Sequence, residues 1–233
     1  MSTLAQKLLY SNFIAEGDLV FDVGANSGNR IQAFLECGAN VIAIEPQPDC
    51  VAHLRAIYCN NKSVIVIEAA AGRATRTQRL HRAKPLDPAA SLSEEFISKT
   101  SRTTRFSKNR KWAESMEVRL ITLDSLVRQF GSPSFIKIDL EGFEKEVLAG
   151  FSGELRALSF EWTPKMLDHA IHCMIRCETL GLRHFHISFG EGMRFCHKAS
   201  VSRAQMEPLI RQLADDPFLF GDIYASKPPL GRH

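Results

Sequence analysis

Three carboxylates in this 233-residue chain each close a short apolar run: Asp22 in LVFDVGANSG, Glu45 in VIAIEPQP and Asp139 in FIKIDLEG. In an open parallel α/β sheet these positions are strand tips, and ligands bind outside the carboxyl ends of such strands. An acid at the tip of the second strand can accept hydrogen bonds from both hydroxyls of a ribose, and Glu45 stands 23 positions beyond Asp22. This narrows the ligand to a nucleoside. Between them Gly24 and Gly28 let the backbone bend sharply, and Asn26 tolerates left-handed φ. The spacing is G-x-x-x-G, lacking the central glycine with which G-x-G-x-x-G turns hold a pyrophosphate. A carboxylate at Asp22 would repel a pyrophosphate and suits a positively charged amine or sulfonium. S-adenosylmethionine carries both charges next to a ribose. The alternative reading makes Asp22 a helix cap or the partner of a basic neighbour.

The segment IKIDLEG holds a second chemical signal. A parallel strand buried on both faces reads as an apolar run, yet this one contains Lys137 and ends in Asp139 and Glu141. Unpaired, such charges cost several kcal/mol each by order of magnitude. They are therefore paired with one another or placed at a ligand cleft. Alternation puts Lys137 and Asp139 on one side of the strand and Ile136, Ile138 and Leu140 on the other. Asp139, Glu141 and Lys137 are the catalytic candidates: Asp139 or Glu141 could take the proton from an alcohol, and Glu161 is a further carboxylate on the same rim. A purely structural Lys137–Asp139 salt bridge is the competing interpretation. No carboxylate or histidine spacing is distinctive for a metal, and none is assigned.

These tips need a scaffold. Apolar or β-branched runs at Leu19 to Val23, Asn40 to Glu45, Ser63 to Ala70, Ser134 to Asp139, Arg156 to Trp162, Arg183 to Phe189 and Phe218 to Ser226 predict seven strands. Helical spacing over Arg30 to Cys37, after PQPD, over Glu144 to Ala149 and around Ala204 to Leu213 fills the gaps between several of them. The alternation predicts an α/β fold, Rossmann-like and doubly wound around a mostly parallel seven-stranded sheet. A single domain over 1–233 fits a composition of 45% hydrophobic and 24% charged residues. The region 82–112, rich in Ser and Thr with Pro85 and Pro88, breaks the pattern as a loop or lid, and Ser115 to Leu126 reads as a returning edge strand. Residues 227–233 form a short tail.

Within that insert, Lys99 to Lys111 carries six basic residues and no acid, and is either a solvated segment or a lid attracting an anionic acceptor. The net charge of +3 does not demand a nucleic-acid partner. No apolar run is long enough to span a membrane, and the N-terminus lacks the pattern of a secretory signal, which predicts a cytoplasmic chain. The six cysteines form no CxxC pair and read as reduced thiols.

FDVGANSG, VIAIEPQP, TLDSL at Thr122 to Leu126 and above all FIKIDLEGFEKEVLAG resemble the FkbM family of S-adenosylmethionine-dependent methyltransferases. The resemblance covers most of the chain and implies the class I methyltransferase fold, S-adenosyl-L-methionine as cofactor, and cofactor-binding roles for Asp22, Gly24, Asn26, Gly28 and Glu45. SLS at Ser91 to Ser93 also resembles a serine-bearing family element, whereas the basic insert matches no family motif. The resulting expectation is methyl transfer, most naturally to an oxygen of a hydroxylated small-molecule or saccharide acceptor. Two alternatives stand beside it: a nicotinamide (NAD)-dependent oxidoreductase, and a module binding nucleic acid or another anionic partner through Lys99 to Lys111.

Overall fold

The computed structural model describes residues 3–100 and 111–228. Helix α1 (Thr3–Tyr10) leads into β1 (Leu19–Val23), α2 (Ile31–Glu36), β2 (Asn40–Glu45), α3 (Pro48–Ile57) and β3 (Val64–Glu68). After an excursion the chain resumes with β7 (Phe135–Ile138), α6 (Glu144–Ala149), β8 (Ala157–Trp162), α7 (Leu167–Thr179), β9 (His184–Phe189), α8 (Arg203–Leu213) and β10 (Gly221–Ser226). The seven strands form one sheet in the order β3-β2-β1-β7-β8-β10-β9, with β10 antiparallel to both of its neighbours. From β1 the chain winds outward to β3 and then crosses back to β7, so strand order reverses between β1 and β7. That reversal opens a crevice at their carboxyl ends.

Alternate residues of the central strands feed two cores. Phe21, Val23, Ile136, Ile138 and Phe160 pack with α6 and α7 on one face. On the other, Val20 and Phe135 pack with Tyr10 and Phe13 near α1 and Phe34 of α2. Asp22 and Lys137, opposite each other in the β1–β7 register, share the strand parity of Val20 and Phe135. The sheet thus places both charges on a single face, beside the crevice.

The excursion is a second, three-stranded sheet rather than a plain loop. Its members are β4 (Ala70–Ala71), β5 (Arg76–Arg82) and β6 (Glu114–Ile121), with β5 antiparallel and β4 parallel to β6. The expected strand from Ser115 to Leu126 therefore stops at Ile121. Thr122 turns the chain into helix α5 (Leu123–Phe130), its Oγ1 accepting the Ser125 N–H at 3.1 Å. Strand propensity loses here because a hydroxyl at the N-cap satisfies a helical donor that would otherwise be orphaned. The 82–112 segment is also more structured than a loop. It contains helix α4 (Glu94–Thr100), buries Leu92 and Phe96, and pairs Ser91 with His81. Of the basic run, Lys99 pairs with Glu95 at 2.6 Å and Lys111 is exposed, while 101–110 lie outside the described residues. Among the described residues no helix is long and apolar enough to cross a membrane.

Removing the cap should expose its contribution. Thr122→Ala should cost about 1 kcal/mol and lower Tm by roughly 2–4 °C in a calorimetric melt. An unchanged Tm would mean that packing alone starts α5.

Candidate active site

The turn after β1 is shaped by contacts on every side. Gly24 has φ +86°, and a Cβ there would lie 2.0 Å from the Asp139 carbonyl oxygen, so the β1 turn and the β7 tip can approach closely only with glycine at this position. Gly28 is similarly placed at φ +85°, but what a Cβ would meet is the Leu54 side chain at 2.8 Å. Asn26, at φ 46°, is held at both ends: its N–H donates to Glu45 Oε2 at 2.8 Å and its Nδ2 donates to the Asp87 carbonyl at 3.1 Å.

Glu45 is buried, and its second oxygen accepts the Gln47 N–H at 2.8 Å. Burial raises its pKa to about 7, against the opposing pull of those two backbone donors. A carboxylate has about four acceptor positions, so two such bonds fix its plane and leave one position on each oxygen. The Gln47 carboxamide in turn pairs with the Asp87 backbone in both directions, donating to its carbonyl at 3.0 Å and accepting its N–H at 3.1 Å. The insert is tied down over the Glu45 side of the crevice by these bonds. Asp87 and Gln47 were missed by sequence reasoning, since no local spacing relates residues 40 positions apart.

Asp22 is 2% exposed, and its Oδ2 has no hydrogen-bond partner among the described residues. Burial raises its pKa to about 6, with Lys137 and Arg30 pulling it down. It lines a cavity of about 220 Å³ together with Arg30, Lys137, Asp139, Glu141 and Glu161. A smaller chamber of about 30 Å³ adjoins it on the Glu45 side, sharing Gly24, Asn26, Pro88 and Asp139.

Lys137 is almost fully buried, donating to Asp139 at 2.9 Å and lying 3.4 Å from Asp222. Burial alone would depress its pKa, but the two carboxylates reverse the sign and hold it well above the ordinary lysine value. The salt bridge of the structural reading is thus present, and it sits on the cavity wall. Beyond it, carboxylate oxygens of Asp139, Glu141 and Glu161 all lie within 4.8 Å of one another. That spacing suits a shared proton or a cation. Glu141 is held at φ 51° with its carbonyl accepting the Ser91 hydroxyl at 2.8 Å, which gives SLS a physical role. Glu144 accepts the N–H groups of Leu140 and Gly142 at 3.0 and 3.2 Å and so folds the DLEG turn back on itself. Burial, then the nearby Glu161, raises its pKa to about 8. Every polar residue of DLEGFE thus has a part in presenting carboxylates to the cavity. Asp222, the second partner of Lys137, comes from β10 and was not foreseen.

Glu45 at the end of β2, Asp22 in β1 and the carboxylate trio at the ends of β7 and β8 thus surround one crevice. The model of the methyltransferase FkbM domain matches residues 22–212. The chain belongs to the FkbM methyltransferase family. A hexuronic acid methyltransferase, AglP of Haloferax volcanii, is 28% identical over 149 residues, 62% of this chain and 54% of that protein. The chain therefore spans about half the length of this relative. Among solved structures, precorrin-8w decarboxylase from Methanobacterium thermoautotrophicum superposes with a TM-score of 0.50 at 11% identity, covering 97% of this chain and 91% of that one. The 23S rRNA methyltransferase ErmE does so with a TM-score of 0.50 at 8% identity, over 100% and 71%. At such identities the likeness is one of fold, and it agrees with the class I methyltransferase architecture expected of an FkbM chain.

The two glycines of the turn should respond unequally. Gly24→Ala drives a methyl into a backbone carbonyl that cannot yield, and should cost about 3 kcal/mol or more. Gly28→Ala meets only the end of a flexible leucine and should cost about half of that. Equal losses in chemical denaturation would overturn the assignment of the Gly24–Asp139 approach as the tight point.

Proposed function

We propose that this FkbM chain is an S-adenosylmethionine-dependent methyltransferase acting on a hydroxyl of a small-molecule or saccharide acceptor. The observation that carries this reading is the orphaned Asp22 Oδ2, buried in the same cavity as the Asp139, Glu141 and Glu161 carboxylates. A buried acid without a hydrogen-bond partner is costly unless a ligand supplies one. In this reading Asp22 takes the cofactor's α-ammonium and Glu45 takes the ribose hydroxyls through its remaining acceptor positions, while Gly24, Asn26 and Gly28 shape the turn beneath. The cofactor supplies an electrophilic methyl group on a sulfonium.

The protein's part is alignment and proton removal. Methyl transfer would need the acceptor hydroxyl held in line with that methyl group and relieved of its proton. The hydroxyl proton goes to Asp139 or Glu141, with Glu161 beside them. Lys137 does not reach the reacting atoms in this scheme. It is a positioning residue whose 2.9 Å contact aims Asp139 into the cavity. A saccharide acceptor is favoured by the likeness to the hexuronic acid methyltransferase. The six cysteines are free, which suits the cytoplasmic setting of the proposal.

Calorimetric titration with S-adenosylhomocysteine tests the cofactor half. Asp22→Ala and Glu45→Ala should each weaken binding about tenfold or more, whereas Asp139→Asn should leave binding nearly intact and lower turnover about a hundredfold on a saccharide acceptor. Unchanged affinity in the first two variants would sink the assignment. Because the ammonium prefers ionised Asp22, wild-type binding should tighten as pH rises through about 6. In Asp22→Asn the rise near 6 should be absent, leaving the one near 7 that Glu45 gives.

A further inference from the structure

Two charged residues of the large cavity, Arg30 and Glu191, have no part in the scheme above. Arg30 follows the glycine turn at the start of α2, and its side chain is only 11% exposed. Its guanidinium donates to Glu191 Oε2 at 2.6 Å. Glu191 belongs to the turn after β9, is 43% exposed in its side chain, and lies between Gly190 and Gly192. A largely buried cation is thus neutralised by a carboxylate reaching in from the solvent side. The buried Arg30 charge needs a partner, and a carboxylate seated inside the cavity can supply it in place of the more exposed Glu191. The cavity's other cation, Lys137, is already engaged by Asp139 and Asp222.

The same cavity therefore presents an acid lacking a hydrogen-bond partner, Asp22, and a cation whose partner is replaceable, Arg30. Together they complement a zwitterionic α-amino acid, with the ammonium on the carboxylate and the carboxylate on the guanidinium. The guanidinium's planar fork of donors matches a carboxylate in two parallel bonds. We propose that Arg30 binds the α-carboxylate of the cofactor's amino-acid end, and that Glu191 occupies that place until the cofactor displaces it. This rests on the S-adenosylmethionine reading of the site. It adds a specificity residue at Arg30 and an internal competitor at Glu191.

The test compares two ligands on the full chain by calorimetry: S-adenosylhomocysteine, and 5′-methylthioadenosine, which keeps the nucleoside but has neither ammonium nor carboxylate. Arg30→Gln should weaken S-adenosylhomocysteine roughly tenfold to a hundredfold and leave methylthioadenosine within about twofold. Glu191→Gln should tighten S-adenosylhomocysteine about threefold or more, with methylthioadenosine unchanged. If Arg30→Gln does not fold, the Glu191→Gln arm stands alone, and a failure to tighten overturns the proposal. Variants that move both ligands alike, or neither, also overturn it while leaving the cofactor reading intact. So does an Arg30→Gln enzyme that spares both ligands and instead raises KM for a uronate acceptor, because the carboxylate would then belong to the acceptor. Binding of neither ligand to the wild type would overturn the cofactor reading and this proposal together.

Discussion

The buried ammonium of Lys137 is the interaction on which the cavity depends. An isolated lysine in the middle of a parallel sheet would cost several kcal/mol, and the same holds for the nearly buried Asp222. Set 2.9 Å from Asp139 and 3.4 Å from Asp222, the three charges compensate one another. The group joins β7 to β10 across β8 and fixes the direction of Asp139 at the cavity mouth. Removing the ammonium would take away the charge that Asp139 and Asp222 share.

The same logic of compensation extends outward. Glu45 is kept in place by two backbone N–H groups, one from the glycine turn and one from Gln47. Gln47 then uses its carboxamide to hold the insert by the Asp87 backbone. On the opposite side Glu144 gathers the DLEG turn with a single oxygen, and Ser91 of the insert ties down Glu141. The second sheet and its insert are thus fastened to both banks of the crevice. Each fastening uses a polar group that would be expensive to bury alone. Among the described residues Asp22 Oδ2 has no such partner.

The fold was legible because period and punctuation agree. The strands at Leu19–Val23, Asn40–Glu45, Phe135–Ile138 and Ala157–Trp162 are apolar runs ended by turns, and the carboxylates closing them stand out against hydrophobic neighbours. The FkbM motifs were legible for the same reason: FDVGANSG and IDLEGFE compress a strand tip, a tight turn and a helix start into a few residues. Local spacing therefore determined the α/β class, the candidate acids Asp22, Glu45, Asp139 and Glu141, and the two glycines of the turn.

Tertiary structure decided what those residues face. Lys137 meets Asp222 across 85 positions, Gln47 meets Asp87 across 40, and Arg30 meets Glu191 across 161. No local period encodes such pairs, because they arise only when strand order reverses between β1 and β7 and β10 inserts antiparallel beside β8. The insert shows the same division. Its polar composition reads as a loop, yet Leu92 is buried in the core that holds Leu80 of β5 and Val118 of β6, and Phe96 is buried against the Gly142 turn. Sequence by itself specified which side chains carry charge and which strand tips present them. Only the closed sheet could decide which charges are buried together, since the cost of burying each is set by partners that the chain brings from far away.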